Sequence, residues 1–146
     1  MKEFPDYRPP NHILESVLYC DDLEQCGIFY EQVIGLNLVS CQPGRHRFYR
    51  LQRGMLLLFC ANVTQIETVS VAGQAIPQHG MQGNGHLAFA IDPEQYKSMT
   101  DRLVAFQISI ESEIVWPSGG RSLYCRDPAG NSIEFATPQI WFDDVP

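Results

Sequence analysis

GGRSLYCRDPAGNSIEFATP, from Gly119 to Pro138, reads as two short strands around a turn, with one carboxylate, Glu134, set in the second strand's apolar run. The turn is Asp127-Pro128-Ala129-Gly130-Asn131. Proline presets φ there, Gly130 and Asn131 tolerate positive φ, and strand-like residues alternate on either side. In the second strand Ser132, Glu134 and Ala136 share one face, and Ile133 and Phe135 take the other. An unpaired carboxylate in such a setting costs several kcal/mol or must take up a proton. A basic side chain or a metal is therefore expected beside it.

One candidate partner lies upstream, in Gly83-Asn84-Gly85-His86 followed by Leu87-Ala88-Phe89-Ala90-Ile91. This is a glycine turn feeding an apolar strand that opens with histidine. A lone histidine at a strand's entry is more often a hydrogen-bonded structural residue than a ligand, and the pairing with Glu134 changes that balance.

The chain of 146 residues fits one domain, 1–146, and can bury roughly two-thirds of its unfolded surface without staples. No window approaches a membrane span of roughly twenty apolar residues, and the first residues lack an apolar signal core, so a cytoplasmic protein is expected. Five cysteines, Cys20, Cys26, Cys41, Cys60 and Cys125, are scattered without a CxxC pair, which excludes a disulfide framework or a cysteine zinc knuckle. The net charge of -7 and the lack of a basic run exclude nucleic-acid binding by counterion release. A small-molecule partner is expected.

Element order repeats along the chain. Strand Ile13–Cys20 leads to a helix capped by Asp21 or Asp22 and stopped by Gly35, with Leu23, Cys26, Phe29, Tyr30 and Val33 at helical spacing. Strands follow at Leu36–Ser40, Arg45–Gln52 and Met55–Cys60, giving βαβββ over 13–60. Residues 61–84 lose periodicity and read as a connecting loop. The order then repeats over 85–137: strand His86–Ile91, a helix from about Glu94 to Phe106, and strands Ile108–Val115, Arg121–Arg126 and Ser132–Ala136. Glu15 matches His86, Asp21 matches Asp92, and Tyr49 falls near Tyr124, a duplication at a period of about seventy residues.

Two βαβββ halves, the helix DDLEQCGIFYEQVIGL, the strand GHLAFAI and the terminal RDPAGNSIEFATP together resemble the vicinal oxygen chelate superfamily: glyoxalases, bleomycin- and fosfomycin-resistance proteins and extradiol dioxygenases. The resemblance runs from about Ile13 to Trp141. It implies an α+β fold in which cupped mixed sheets close a cleft around a metal, within one chain or across a homodimer.

The resemblance further implies metal ligands on the first and last strands of each half. His86 and Glu134 match in the second half; Glu15 takes the place where many members have histidine; the fourth position falls on Leu57 or Leu58, which cannot ligate. One imidazole and two carboxylates suit a divalent Zn, Mn, Ni, Co or Fe, and leave positions open for substrate. A metal-free cluster neutralised by protonated His86 or an arginine is the competing arrangement.

If a metal is bound, Glu134, or Glu15 opposite it, is the candidate base. Arg121, Tyr124 and Tyr49 are the candidate substrate-binding residues, and Trp116–Gly120 is a turn suited to a closing flap. His79 reads as an exposed loop histidine or as a residue at the cleft mouth. The expected function is a glyoxalase-like, metal-dependent lyase or isomerase acting on a small oxygen-rich substrate. The alternatives are a metal-free module that sequesters an antibiotic or aromatic ligand, and an Fe(II) dioxygenase, whose pattern of two histidines and one glutamate this chain does not reproduce.

Overall fold

A computed structural model of the chain describes residues 3–143. Two four-stranded mixed sheets form it. The first holds β1 (Glu15–Tyr19), β2 (Asn37–Gln42), β3 (His46–Leu51) and β4 (Gly54–Phe59) in the order β1-β4-β3-β2. The second holds β7 (His86–Ala90), β8 (Ser112–Val115), β9 (Arg121–Arg126) and β10 (Ser132–Ala136) in the order β7-β10-β9-β8. In each, the first strand runs parallel to the last and the other pairs are antiparallel. This is the α+β arrangement of two βαβββ modules expected from the sequence.

The registers turn the repeat into a residue-by-residue equivalence. Val17 pairs with Leu57 and Leu57 with Phe48 in the first sheet; Ala88 pairs with Glu134 and Glu134 with Tyr124 in the second. Leu57 is therefore the counterpart of Glu134, and Phe48 that of Tyr124.

The first helix begins as α1 (Leu23–Ile28), where Asp22 Oδ1 accepts from the Gln25 N–H at 3.1 Å. It continues as a π-helical segment over Phe29–Ile34 and ends at Gly35 in the left-handed region, φ 88°. There the N–H groups of Gly35 and Leu36 both reach the Tyr30 carbonyl. The wider winding leaves Phe29, Tyr30 and Val33 all buried. In the second module a 3₁₀ turn at Pro93–Gln95, closed by an Asp92–Gln95 capping box, leads into the second long helix, over Tyr96–Ala105. Its Arg102 donates to the Val33 and Gln32 carbonyls, so the second module caps the first module's helix.

A single core runs through both modules, from Leu18, Tyr30, Tyr49 and Leu56 to Leu103, Leu123, Ile133 and Phe135. The turn after β9 is the polar joint within it. Asp127, 4% exposed, accepts at Oδ1 from the Ala129 and Asn131 N–H groups (3.0 and 2.9 Å). Its Oδ2 accepts from the Tyr30 hydroxyl (2.7 Å) and Asn131 Nδ2 (2.9 Å). Asn131 in turn accepts from Gly85 N–H and donates to the Tyr19 carbonyl, tying the entry of β7 to the end of β1.

Residues 61–84, expected as a plain loop, contain α2 (Ala61–Thr64) and a hairpin of β5 (Val69–Val71) and β6 (Gln74–Ile76). The hairpin turns through Ala72 and Gly73 at φ 51° and 80°, the two positive values that a tight two-residue turn demands. Three-residue strands are too short to show periodicity. The strand expected at Ile108–Val115 pairs only over Ser112–Val115, because Ile108 and Ile110 pack on the core before the ladder begins. Among the described residues no helix is long and apolar enough to cross a membrane.

All five cysteines are free thiols. Burial, together with nearby Asp127, pushes the Cys125 thiol up to about 12, and Cys20 and Cys26 are equally enclosed. Timed labelling with a thiol reagent at pH 8 should therefore modify exposed Cys41 within minutes and leave Cys20, Cys26 and Cys125 unlabelled until denaturant is added.

Candidate metal centre

The polar site lies on the open face of the second sheet. Alternation along β10 sends Ile133 and Phe135 into the core and leaves Glu134, 6% exposed, on the other face beside His86, Ser122 and Tyr124. His86 opens β7, and its Nδ1 lies 3.0 Å from the Ser132 carbonyl oxygen. A carbonyl only accepts, so Nδ1 carries the proton and the other ring nitrogen is left to face the site. That atom, Nε2, lies 3.2 Å from Glu134 Oε1. Two lone-pair atoms at this distance repel unless a cation sits between them, either a proton on His86 or a metal ion.

Glu134 is held from behind. The Ser122 hydroxyl donates to Oε2 at 2.6 Å, and the Trp116 indole N–H donates to Ser122 Oγ at 2.8 Å. Trp116 closes the Trp116–Gly120 turn but is turned inward, as a support for Ser122. Tyr124 packs nearly parallel to the His86 ring, centroids 6.3 Å apart. Burial and the Glu134 charge push its hydroxyl above the ordinary tyrosine value, so it remains a donor.

Glu15 sits elsewhere. It opens β1 on the open face of the first sheet, is exposed, and lines a cavity of about 770 Å³ with Tyr19, Arg45, Phe48, Phe59 and His79; neither His86 nor Glu134 lines that cavity. The described residues hold one cluster in which three ligating atoms of His, Cys, Asp or Glu converge within 4.8 Å, and it is Cys20, Cys26 and Asp127, not Glu15, His86 and Glu134. That buried cluster has the wrong chemistry for a cation. Both Asp127 oxygens are already filled by four donors. The hydrogen bond to Cys26, burial and the neighbouring carboxylates all push the Cys20 thiol upward and keep it protonated.

Two expected substrate contacts lie off the site. Tyr49, matched with Tyr124 by sequence, is fully buried, its hydroxyl donating to Glu31 Oε2 at 2.9 Å. The true counterpart is Phe48, and a slip of one residue in a strand reverses the face. Arg121 shares its face with core residues Leu123 and Cys125 and lies with its guanidinium 3.8 Å from the Tyr96 ring centroid, a cation–π contact on the helix side. Arg126 pairs with Glu111 at the sheet's exposed edge.

Sequence reading does not single out Ser122, although alternation from Glu134 back through Tyr124 to Ser122 carries its signal, and it takes Trp116 only as part of a flap turn, whereas the indole braces Ser122. His79 is turned into the first cavity, with Nδ1 2.6 Å from the Tyr19 hydroxyl. One imidazole nitrogen and carboxylate oxygens form a donor set that fits a borderline divalent cation.

The comparisons agree with this architecture. The model of the Glyoxalase/Bleomycin resistance protein/Dioxygenase superfamily matches residues 10–135. A metallothiol transferase FosB from Lysinibacillus sphaericus (strain C3-41) is 31% identical over 129 residues, 87% of this chain and 80% of the relative. The crystal structure of a lactoylglutathione lyase from Agrobacterium tumefaciens superposes with a TM-score of 0.84 at 38% identity, covering 92% of this chain and 98% of that one. The fosfomycin resistance protein FosX from Mesorhizobium loti shares the fold at a TM-score of 0.59 and 17% identity, over 89% of this chain and 93% of its own. With β1–β4 and β7–β10 repeating the same parallel pairing and a family match across nearly the whole described chain, the chain belongs to the glyoxalase/bleomycin resistance protein/dioxygenase superfamily.

Proposed function

We propose that the chain is a glyoxalase-like, metal-dependent enzyme of lyase or isomerase type that acts on a small oxygen-bearing organic molecule. The observation that carries this reading is the pair His86 Nε2 and Glu134 Oε1, 3.2 Å apart, with the tautomer set by the Ser132 carbonyl. His86 and Glu134 would hold a divalent Zn, Mn, Ni, Co or Fe from one chain. A cation held there would polarise two neighbouring oxygens of the substrate as a Lewis acid.

The third ligand, Glu15, is assigned to a second copy of the chain. In one chain it lies on a different cup from His86 and Glu134. Strands β1 and β7 are edges of their sheets, and Ile13 and Leu14 before β1 are exposed. Unprotected edges invite pairing. A homodimer that sets β1 of one copy beside β7 of the other brings Glu15 to the site.

Within this arrangement Glu134 acts as a ligand through Oε1, because Oε2 is already taken by Ser122. Moving a proton then falls to Glu15, which makes no side-chain hydrogen bond or ion pair among the described residues, or to Glu134 itself if Ser122 releases it. Tyr124 keeps its hydroxyl proton beside His86 and is placed to donate to a substrate oxygen.

A metal-free sequestering module is the second reading, favoured by Leu57 standing where a fourth ligand would be. Elemental analysis of tag-free protein separates the two. About one transition metal per chain supports the enzyme. Folded, metal-free protein that takes up none of the five metals supports sequestration.

Chain mixing tests the shared site. Glu15→Ala and His86→Ala proteins, each metal-poor alone, should regain about a quarter of the wild-type metal content when mixed and refolded, since each mixed dimer rebuilds one intact site. Recovery no greater than the average of the parents would place all ligands in one chain. Ser122→Ala, which leaves Glu134 Oε2 and the Trp116 indole without their partner, is expected to weaken metal affinity by about 10- to 100-fold with the fold intact, as measured against a chelator of known affinity.

A further inference from the structure

The cup of the first sheet differs in kind from that of the second. Where the second carries Glu134, Tyr124 and Ser122, the equivalent places in the first carry Leu57, Phe48 and His46. Phe48 and Phe59 meet edge to face at 5.2 Å between centroids, and the ring of His79 meets Phe59 edge to face at 4.8 Å. His46 stacks on Phe48 at 4.0 Å. The result is an aromatic chamber of about 770 Å³, a size suited to a compact organic molecule.

Its one arginine is spent internally. Arg45 donates through Nε and Nη2 to the two oxygens of Glu67 at 2.9 and 2.6 Å, and through Nη1 to His46 Nδ1 at 2.7 Å. Because Arg45 only donates, His46 must accept at Nδ1, and its Nε2–H is directed at Ser40 Oγ, 3.0 Å away. Burial and the neighbouring guanidinium lower the His46 pKa, consistent with a neutral ring. The lining otherwise adds only Glu15, so one cation stands against two carboxylates and an anionic ligand is disfavoured.

One polar pair in the chamber is not spent. The Tyr19 hydroxyl and His79 Nδ1 lie 2.6 Å apart. In the neutral state the pair owns two protons and its internal hydrogen bond uses one. If tyrosine donates, His79 keeps a free Nε2–H; if histidine donates, Tyr19 keeps a free O–H. Either tautomer leaves one donor. The loop that brings His79 is pinned, with the His79 N–H on the Thr64 carbonyl and Gln78 Nε2 on the Glu67 carbonyl, so the pair is preformed.

We propose that this cup is a binding site for a neutral aromatic carbonyl compound, whose ring packs on Phe48 and Phe59 and whose oxygen accepts the spare proton of the Tyr19–His79 pair. The site is built from the first module and the connecting segment that carries Glu67 and His79. Through Glu15 it is the cup that the proposed dimer would bring to His86 and Glu134, so the proposal rests on that reading and names its substrate class. With chelator present, ligand binding is read apart from metal content.

The test uses the full chain with chelator present throughout and three probes. Acetophenone has ring and oxygen, ethylbenzene lacks the oxygen, and cyclohexyl methyl ketone lacks the aromatic ring. Affinities are read from NMR shift changes. Acetophenone is expected to bind severalfold tighter than either control and to shift Phe48, Phe59 and His79 signals. In a Tyr19→Phe/His79→Ala double variant the preference for acetophenone over ethylbenzene should fall to about one while ring binding persists. Because the readout is a preference between two ligands on the same protein, a general loss of stability does not imitate it. A preference unchanged in the double variant, a cyclohexyl ketone that binds as well as acetophenone, shifts confined to other surfaces, or no saturable binding of any probe would each overturn the proposal.

Discussion

His86→Ala and Glu134→Ala are each expected to lower affinity for a divalent cation by about 100-fold or more, whereas Arg121→Ala should leave it unchanged. The first loses the ring nitrogen aimed at the site; the second loses both the acceptor 3.2 Å from that nitrogen and the anchor for Ser122. Arg121 serves as the control because its guanidinium lies on the Tyr96 ring, on the other face of β9. Competition with a chelator of known affinity reads all three. His86→Ala should fold normally, since its side chain is about half exposed. Equal metal binding by wild type and His86→Ala would mean that the cation facing Glu134 is the imidazole's own proton, and the metal centre would be withdrawn.

Asp127→Ala is expected to have the largest effect on stability, about 3–5 kcal/mol by chemical denaturation. The substitution strips acceptors from the Tyr30 hydroxyl, the Asn131 side chain and two backbone N–H groups at once, all at a buried joint. Each orphaned donor costs roughly 1–3 kcal/mol before relaxation, and water entering the vacated space returns part of it. A melting temperature lower by about 10 °C is the corresponding thermal result. Tyr30→Phe removes one of the four donors and should cost about 2 kcal/mol, reported by the same measurement. Since Tyr30 belongs to the first module and Asp127 to the second, a protease should then cut between the modules sooner than within them. An Asp127→Ala protein as stable as wild type would show that the joint is incidental to the fold.

The two modules were legible because strand alternation, an Asp-capped helix stopped by glycine, and a proline–glycine turn are all local signals. Asp22 does cap α1 and Gly35 does adopt positive φ. The pairing of His86 with Glu134 was legible for a related reason: both stand on strands whose core-facing residues announce themselves, so the face of the remaining side chains follows. Tyr49 shows where this reasoning stops. Element order fixes the match between the two halves only to within one position, which is harmless for naming a strand and decisive for naming its face. Only the pairing of Leu57 with Phe48 placed Tyr49 in the core. The hairpin at Val69–Ile76 was missed because three-residue strands carry too few positions to alternate.

The positions of Arg121 and His79 both depend on contacts that the neighbouring residues do not specify, and of the two places open to His79 the structure selects the cavity. Arg121 is drawn to an aromatic ring on a helix 25 positions earlier, while His79 is carried into the aromatic cup by a loop folded back on α2 and Glu67. Nothing in the residues next to either one encodes that destination.

By itself the sequence determined the element order, the duplication and the residue types able to hold a cation, because each is written in spacing within a few turns of chain. The tertiary structure decided which side chains share a surface: that Glu134 is braced by Ser122 and Trp116, that Asp127 joins the modules, and that Glu15 stands on a separate cup. These follow from strand register and long-range packing, where a shift of one residue reverses a face, and such shifts are set by the collective fit of the core rather than by any local run of residues.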